Sequence, residues 1–110
     1  MPLRPLVTEA DLNAFLEIGG PLWILKHSNA CPVSFAALEH VERYLADHDE
    51  TVGMVVVQEA RPLCNAIAQR FGYAHQSPQL FLIDGATARW QSTHWGITAE
   101  AMTAARNPSS

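Results

Sequence analysis

Leu22-Trp23-Ile24-Leu25 opens a segment that closes on Met54-Val55-Val56-Val57, with Cys31-Pro32 between them. Each four-residue run is apolar, bounded by turn signals and too short for a helix, so each is expected to be a buried strand. Between them, Pro32 marks a helix start, where its missing N–H does no harm. Val33, Ala37, Val41 and Leu45 follow at helical spacing, and Glu39 and Arg43 stand i, i+4 on the outer side. Strand, helix and strand over about 30 residues make a βαβ unit, which predicts parallel pairing through a right-handed crossover.

Outward from this unit the signals remain local. Thr8-Glu9-Ala10-Asp11 has capping-box spacing, with Asp in place of Glu or Gln. Leu12, Phe15 and Leu16 then share one helical face, and Gly19-Gly20 ends the helix. A third helix is expected over 60–71, marked by Leu63 and Ile67 and closed by Gly72. Pro78 to Ile83, then Asp84-Gly85, then Ala88-Arg89-Trp90 predict a hairpin. Thr98 caps a last helix through about Ala105. Trp23 and Trp90 are expected in the core. The ends, Pro2 to Pro5 and Asn107 to Ser110, look like frayed tails. The order α-βα-βα-ββ-α predicts a three-layer α/β sandwich with four strands.

The chain has 110 residues, enough for one domain, 1–110, with its core over about 8–106. No apolar stretch approaches a membrane span or a secretory signal, so a cytoplasmic protein is expected, with no membrane partner. The net charge is −4, and Lys26 is the only lysine, which argues against nucleic acid as a partner. The two cysteines, Cys31 and Cys64, are too few for a disulfide framework.

Cys31 follows a strand and directly precedes the proline that opens a helix. A thiol there meets the unpaired N–H groups of the first turn and the positive end of the helix dipole, and both favour the thiolate. Position alone leaves two readings open, a reactive thiolate or an inert buried cysteine. Ser34, three residues on, lies on the same helical face; its hydroxyl can donate to a thiolate but cannot form a disulfide. Taken alone it is equally an ordinary first-turn polar residue. Ser77-Pro78 opens a strand, where proline costs no needed donor, and a trans bond is the default. Cys64 reads as a small buried apolar residue or as a second, resolving thiol. His27 and His94 form no close ligand pair, so no metal site is expected. Either one, if protonated, would favour a thiolate. Glu59 and Arg61 read as a solvated pair.

Together, Lys26 to Ser34, Val57 to Arg61, Gln76 to Gln79 and His94 to Thr98 are similar to the monothiol bacilliredoxins of the YtxJ type. The resemblance spans roughly residues 8–105, with four separated motifs in order. It implies a thioredoxin-like fold with a central mixed four-stranded sheet and an extra N-terminal helix. It implies that Cys31 attacks mixed disulfides between client proteins and bacillithiol, a low-molecular-weight thiol acting as co-substrate with no bound cofactor, in recovery from oxidative stress. The family's Cys-Pro-x-Ser turn falls on Cys31, Pro32 and Ser34, and its cis-proline on Pro78. Ser77 would then offer backbone groups to an extended substrate, and His94 and Trp95 would wall the site. Ala30 stands where the pattern has Thr, and Cys64 where it has Ser; the second departure raises the question of a resolving thiol. Two other functions stay open. One is a cluster-carrying glutaredoxin-like protein, although Cys-Pro-Val-Ser differs from Cys-Gly-Phe-Ser at both central positions. The other is a thioredoxin-like binding protein without catalysis.

Overall fold

The computed structural model describes residues 3–107. The strands are β1 (Leu3–Pro5), β2 (Pro21–His27), β3 (Val52–Val56), β4 (Gln79–Asp84) and β5 (Thr87–Thr93). The helices are α1 (Glu9–Leu16), α2 (Pro32–Ala46), α3 (Arg61–Phe71) and α4 (Ala99–Arg106), with a 3-10 turn at His94–Gly96. The sheet order is β1-β3-β2-β4-β5. β2 and β3 pair in parallel across α2, as the βαβ reading requires, and β4 lies antiparallel to both β2 and β5.

The sheet thus has five strands rather than four. The addition is β1, expected as part of a tail, which pairs in parallel with β3 through Leu3 and Val52. Pro5 is tolerated because β1 is an edge strand and an absent N–H there breaks no ladder. Leu6, just beyond, donates its N–H to the Met54 carbonyl at 2.9 Å and buries its side chain. At the other end, Asn107 closes α4, and 108–110 lie outside the described residues.

Strand alternation divides the core. Leu22, Ile24, Phe81 and Ile83 face α1 and α3 and pack with Leu12, Phe15, Leu63 and Ile67. Trp23, Leu25, Leu80 and Leu82 face α2 and α4 and pack with Ala37, Val41, Tyr44 and Met102. Helices cover both faces, so β2 and β4 read as continuous apolar runs. Trp90 is partly buried against the second cluster. The helix ends follow their local chemistry: Thr8 and Asp11 form the capping box, Thr98 accepts from the Ala101 N–H, and Gly72 ends α3 at φ 77°. Glu39 and Arg43 stay exposed and form no ion pair among the described residues, and the same holds for Glu59 and Arg61. No helix among the described residues is long and apolar enough to cross a membrane.

Candidate active site

The C-terminal end of β2 and the start of β4 lie side by side, with Lys26 opposite Gln79. Just beyond this last pair, one strand turns into the loop carrying Cys31 and the other arrives from Ser77-Pro78. Sheet pairing therefore brings together two segments more than forty residues apart in sequence. The Ser77-Pro78 peptide bond is cis.

Cys31 is the N-cap of α2, half-exposed, with extended backbone (φ −120°, ψ 116°). Its thiol lies below the ordinary thiol range. The Ser34 backbone N–H is the main cause, the Val33 N–H and the Ser34 hydroxyl assist, and partial burial opposes them. The sulfur makes no formal capping hydrogen bond, so these first-turn donors act chiefly on the anion. Ser34 is fully buried, and its oxygen accepts the Ser28 N–H at 3.2 Å. With that lone pair occupied, its own O–H is free to point toward the sulfur. The serine is therefore tied into the turn rather than left as a solvated first-turn residue.

The loop before Cys31 is held from the β3–α3 connection. Gln58 accepts from the Asn29 N–H at 3.2 Å and donates to the Ser28 hydroxyl at 2.8 Å. That hydroxyl in turn accepts from the Ala30 N–H at 3.3 Å. His27 is buried, its Nε2 is 3.0 Å from the Asn29 carboxamide oxygen, and the Phe35 ring stands edge-on to it at 4.9 Å. Its Nδ1 and the Ser77 hydroxyl are buried without a hydrogen-bond partner among the described residues. His94, at φ 50°, donates its backbone N–H to the Pro78 carbonyl at 3.1 Å, which fastens the turn after β5 to the cis-proline. Trp95 is 73% exposed and Phe35 48%, unusual for rings of this size; Phe35 stands in the first turn of α2, and Trp95 in the 3-10 turn that lies against α2.

Cys64 lies elsewhere. It is 2% exposed and packs in the α1–α3 layer, whereas Cys31 heads a helix on the opposite face. Burial pushes its thiol up, against the pull of Lys26 and Arg61. Both cysteines are free. Among the described residues no group of three or more His, Cys, Asp or Glu gathers in a way that could hold a metal ion.

Three features were not read from the sequence. The first is the Gln58 clamp, whose two partners lie about thirty residues away. The second is the complete burial of Lys26: its ammonium is 3.1 Å from His75 Nδ1 and 5.6 Å from the Phe81 ring centre. Burial pushes Lys26 down, and the Cys64 thiolate would pull it back. The third is buried Gln79, whose amide binds Gln91 at 3.0 Å. Strand alternation carried a signal for the last two, since Lys26 continues the inward face of Leu22 and Ile24, and Gln79 that of Phe81 and Ile83.

A family model described as monothiol bacilliredoxin BrxC matches residues 4–102. A solved protein described as having a thioredoxin fold is 26% identical and superposes with a TM-score of 0.91, over 96% of this chain and 94% of that one. A Schistosoma mansoni thioredoxin is 13% identical with a TM-score of 0.78, over 97% and 98% of the two chains. Chlamydomonas reinhardtii thioredoxin f2 is 14% identical with a TM-score of 0.74, over 97% and 95%.

Proposed function

The chain belongs to the monothiol bacilliredoxin family, a thioredoxin-fold group with a thiol–disulfide redox function, and from that premise we propose that Cys31 removes bacillithiol from client proteins. The observation that carries this reading is the placement of Cys31 at the N-cap of α2, with the Ser34 and Val33 N–H groups and the Ser34 hydroxyl lowering its thiol. The Cys31 thiolate attacks the bacillithiol sulfur of a client–bacillithiol disulfide. The client sulfur leaves as a thiolate and takes up a proton, and a Cys31–bacillithiol disulfide forms. A second bacillithiol thiolate then attacks the bacillithiol sulfur of that adduct. Bacillithiol disulfide departs and the Cys31 thiolate is restored. The same lowered pKa that supplies the nucleophile makes Cys31 a good leaving group in the second step.

Ser34 occupies the place where a dithiol protein would carry its second cysteine, so the adduct persists until an external thiol arrives. Ser77 and Pro78 supply backbone for an extended client, Pro32 shapes the turn, and His94 and Trp95 wall the groove. Cys64, buried and with a raised pKa, is a packing residue in this scheme.

The test is incubation with a bacillithiolated client peptide, followed by intact mass and peptide mapping. An adduct on Cys31 that disappears on adding bacillithiol supports the cycle, and Cys64→Ser should turn over at the wild-type rate. A Cys31–Cys64 disulfide after transfer would make the protein a dithiol enzyme, and no adduct on Cys31 would refute the exchange reading.

A further inference from the structure

Two buried polar side chains stand next to each other in the sheet, on the face toward α1 and α3. Lys26 is the last residue of β2 on that face, Gln79 is the first of β4, and the two are registered partners. Lys26 is the harder to explain as packing. Among the described residues no carboxylate meets its ammonium. The Cys64 thiol, raised by burial, stays neutral near pH 7 and offers no countercharge. A buried cation without an anion beside it is destabilising, and an apolar side chain of similar volume would fill the place better. What the ammonium does have is His75 Nδ1 at 3.1 Å. An ammonium can only donate, so His75 accepts and carries its ring proton on Nε2.

Lys26 and Gln79 direct their polar groups at the same short loop. Residues 74–76 lie between α3 and β4, in neither helix nor strand. Gln79 Nε2 donates to the Ala74 carbonyl at 3.3 Å, Lys26 donates to His75, and Gln79 Oε1 accepts the Gln76 N–H at 3.2 Å. One cross-strand pair thus fastens three successive residues. All three are exposed, so burial of their own side chains does not hold them.

The next residues are Ser77 and the cis-proline Pro78. The Ser77 hydroxyl is buried and makes no hydrogen bond among the described residues, so the serine is not fixed by its own side chain. Its backbone is placed from both sides instead, by the fastened 74–76 loop and by the His94 N–H on the Pro78 carbonyl at 3.1 Å. A recognition loop ordered in advance spares its partner the entropy of ordering it on binding. We propose that Lys26 is a positioning residue for client binding: through its hydrogen bond to His75 it holds the 74–76 loop, so that the Ser77 backbone is already set when an extended client arrives. This deepens the exchange reading above and rests on it for the client and for the chemistry at Cys31.

The experiment follows transfer from a short bacillithiolated peptide with one cysteine to Cys31 in wild type, His75→Ala, His75→Asn and Lys26→Met. His75→Ala and Lys26→Met both remove the hydrogen bond. In each, KM for the peptide should rise about fivefold, the worth of one hydrogen bond, while kcat and the rate of Cys31 alkylation by iodoacetamide stay at the wild-type values. His75→Asn keeps an acceptor at the Nδ1 position and should restore the wild-type KM. His75 is exposed, so its variants decide the matter even if Lys26→Met does not fold. An unchanged KM in His75→Ala, or a KM as high in His75→Asn as in His75→Ala, overturns the proposal while leaving the exchange cycle standing. Hydrogen exchange at the Gln76 N–H is an independent readout, expected to quicken about fivefold in His75→Ala. That result supports the hold on the loop even if wild type takes no adduct from the peptide, which would refute the exchange reading alone; unchanged exchange overturns the hold.

Discussion

Replacing Glu50 with alanine removes the acceptor shared by two of the largest buried side chains. Glu50 Oε1 accepts the Trp23 indole N–H at 2.7 Å and the Tyr44 hydroxyl at 2.9 Å, and Oε2 lies 3.2 Å from Arg106 Nε. Trp23 is 0% and Tyr44 2% exposed, and their rings meet edge-on at 5.4 Å. Neither donor has another partner among the described residues. Each buried donor left unsatisfied costs about 1–3 kcal/mol. Water entering beside the partly exposed Glu50 position relieves part of this, so Glu50→Ala should cost about 2–4 kcal/mol in total. For a domain of this size that is a fall in Tm of about 10–20 °C. Glu50→Gln keeps an acceptor oxygen for both rings and loses mainly the half-exposed pair to Arg106, a loss of about 1 kcal/mol or less. Urea unfolding with an unchanged m-value is the assay, because it reports stability rather than a change in compactness. A cost under about 1 kcal/mol for Glu50→Ala, or equal costs for the two variants, would refute the reasoning. The phenol of Tyr44 sits well above its ordinary range, through burial first and Glu50 second. The unfolded chain therefore releases that proton first, and stability should decline as the pH rises past the ordinary phenol range.

Ser34→Ala removes a hydroxyl that favours the Cys31 thiolate, so the pH midpoint of Cys31 alkylation by iodoacetamide should move upward; an unmoved midpoint would mean that the backbone N–H groups suffice. It also strands the Ser28 N–H, at a cost of about 1 kcal/mol in urea unfolding. His75 is held below its ordinary value by burial, then by Lys26 and Arg61. Below the ordinary histidine value the unfolded state binds more protons, so stability rises with pH between the lowered value and the ordinary one. His75→Gln should flatten that part of the profile, and a wild-type slope in the variant would assign it to other groups. Gly53→Ala would place a Cβ 2.6 Å from Leu6 Cδ1 and 3.1 Å from the Phe15 ring. Both neighbours are buried, so about 1–3 kcal/mol of overpacking is expected in the same unfolding assay, and no loss would show slack beneath α1.

The sequence by itself determined what depends on neighbours a few residues apart. The Thr8 and Thr98 caps, Pro32 at a helix start, the left-handed Gly72 and the Asp84-Gly85 turn act through contacts within four positions. The βαβ unit follows from two apolar runs and one helical period. These local rules located Cys31 at the head of α2, with Ser34 one turn on. The cis-proline was implied only by the family resemblance, because nothing local separates cis from trans at Ser77-Pro78. Tertiary structure decided the rest, because those contacts join distant segments and no spacing encodes them. β1 has three residues, the last of them Pro5, and exists only because β3 offers it a partner edge from Val52 to Met54. Glu50 looks like part of a polar helix exit until Trp23 and Tyr44 arrive from separate elements. Lys26 looks like a surface lysine until strand alternation, the covering His75 and the α3 layer enclose it. The Cys31 loop, likewise, has its N–H and hydroxyl partners supplied by Gln58, which only the parallel pairing of β2 with β3 brings within reach.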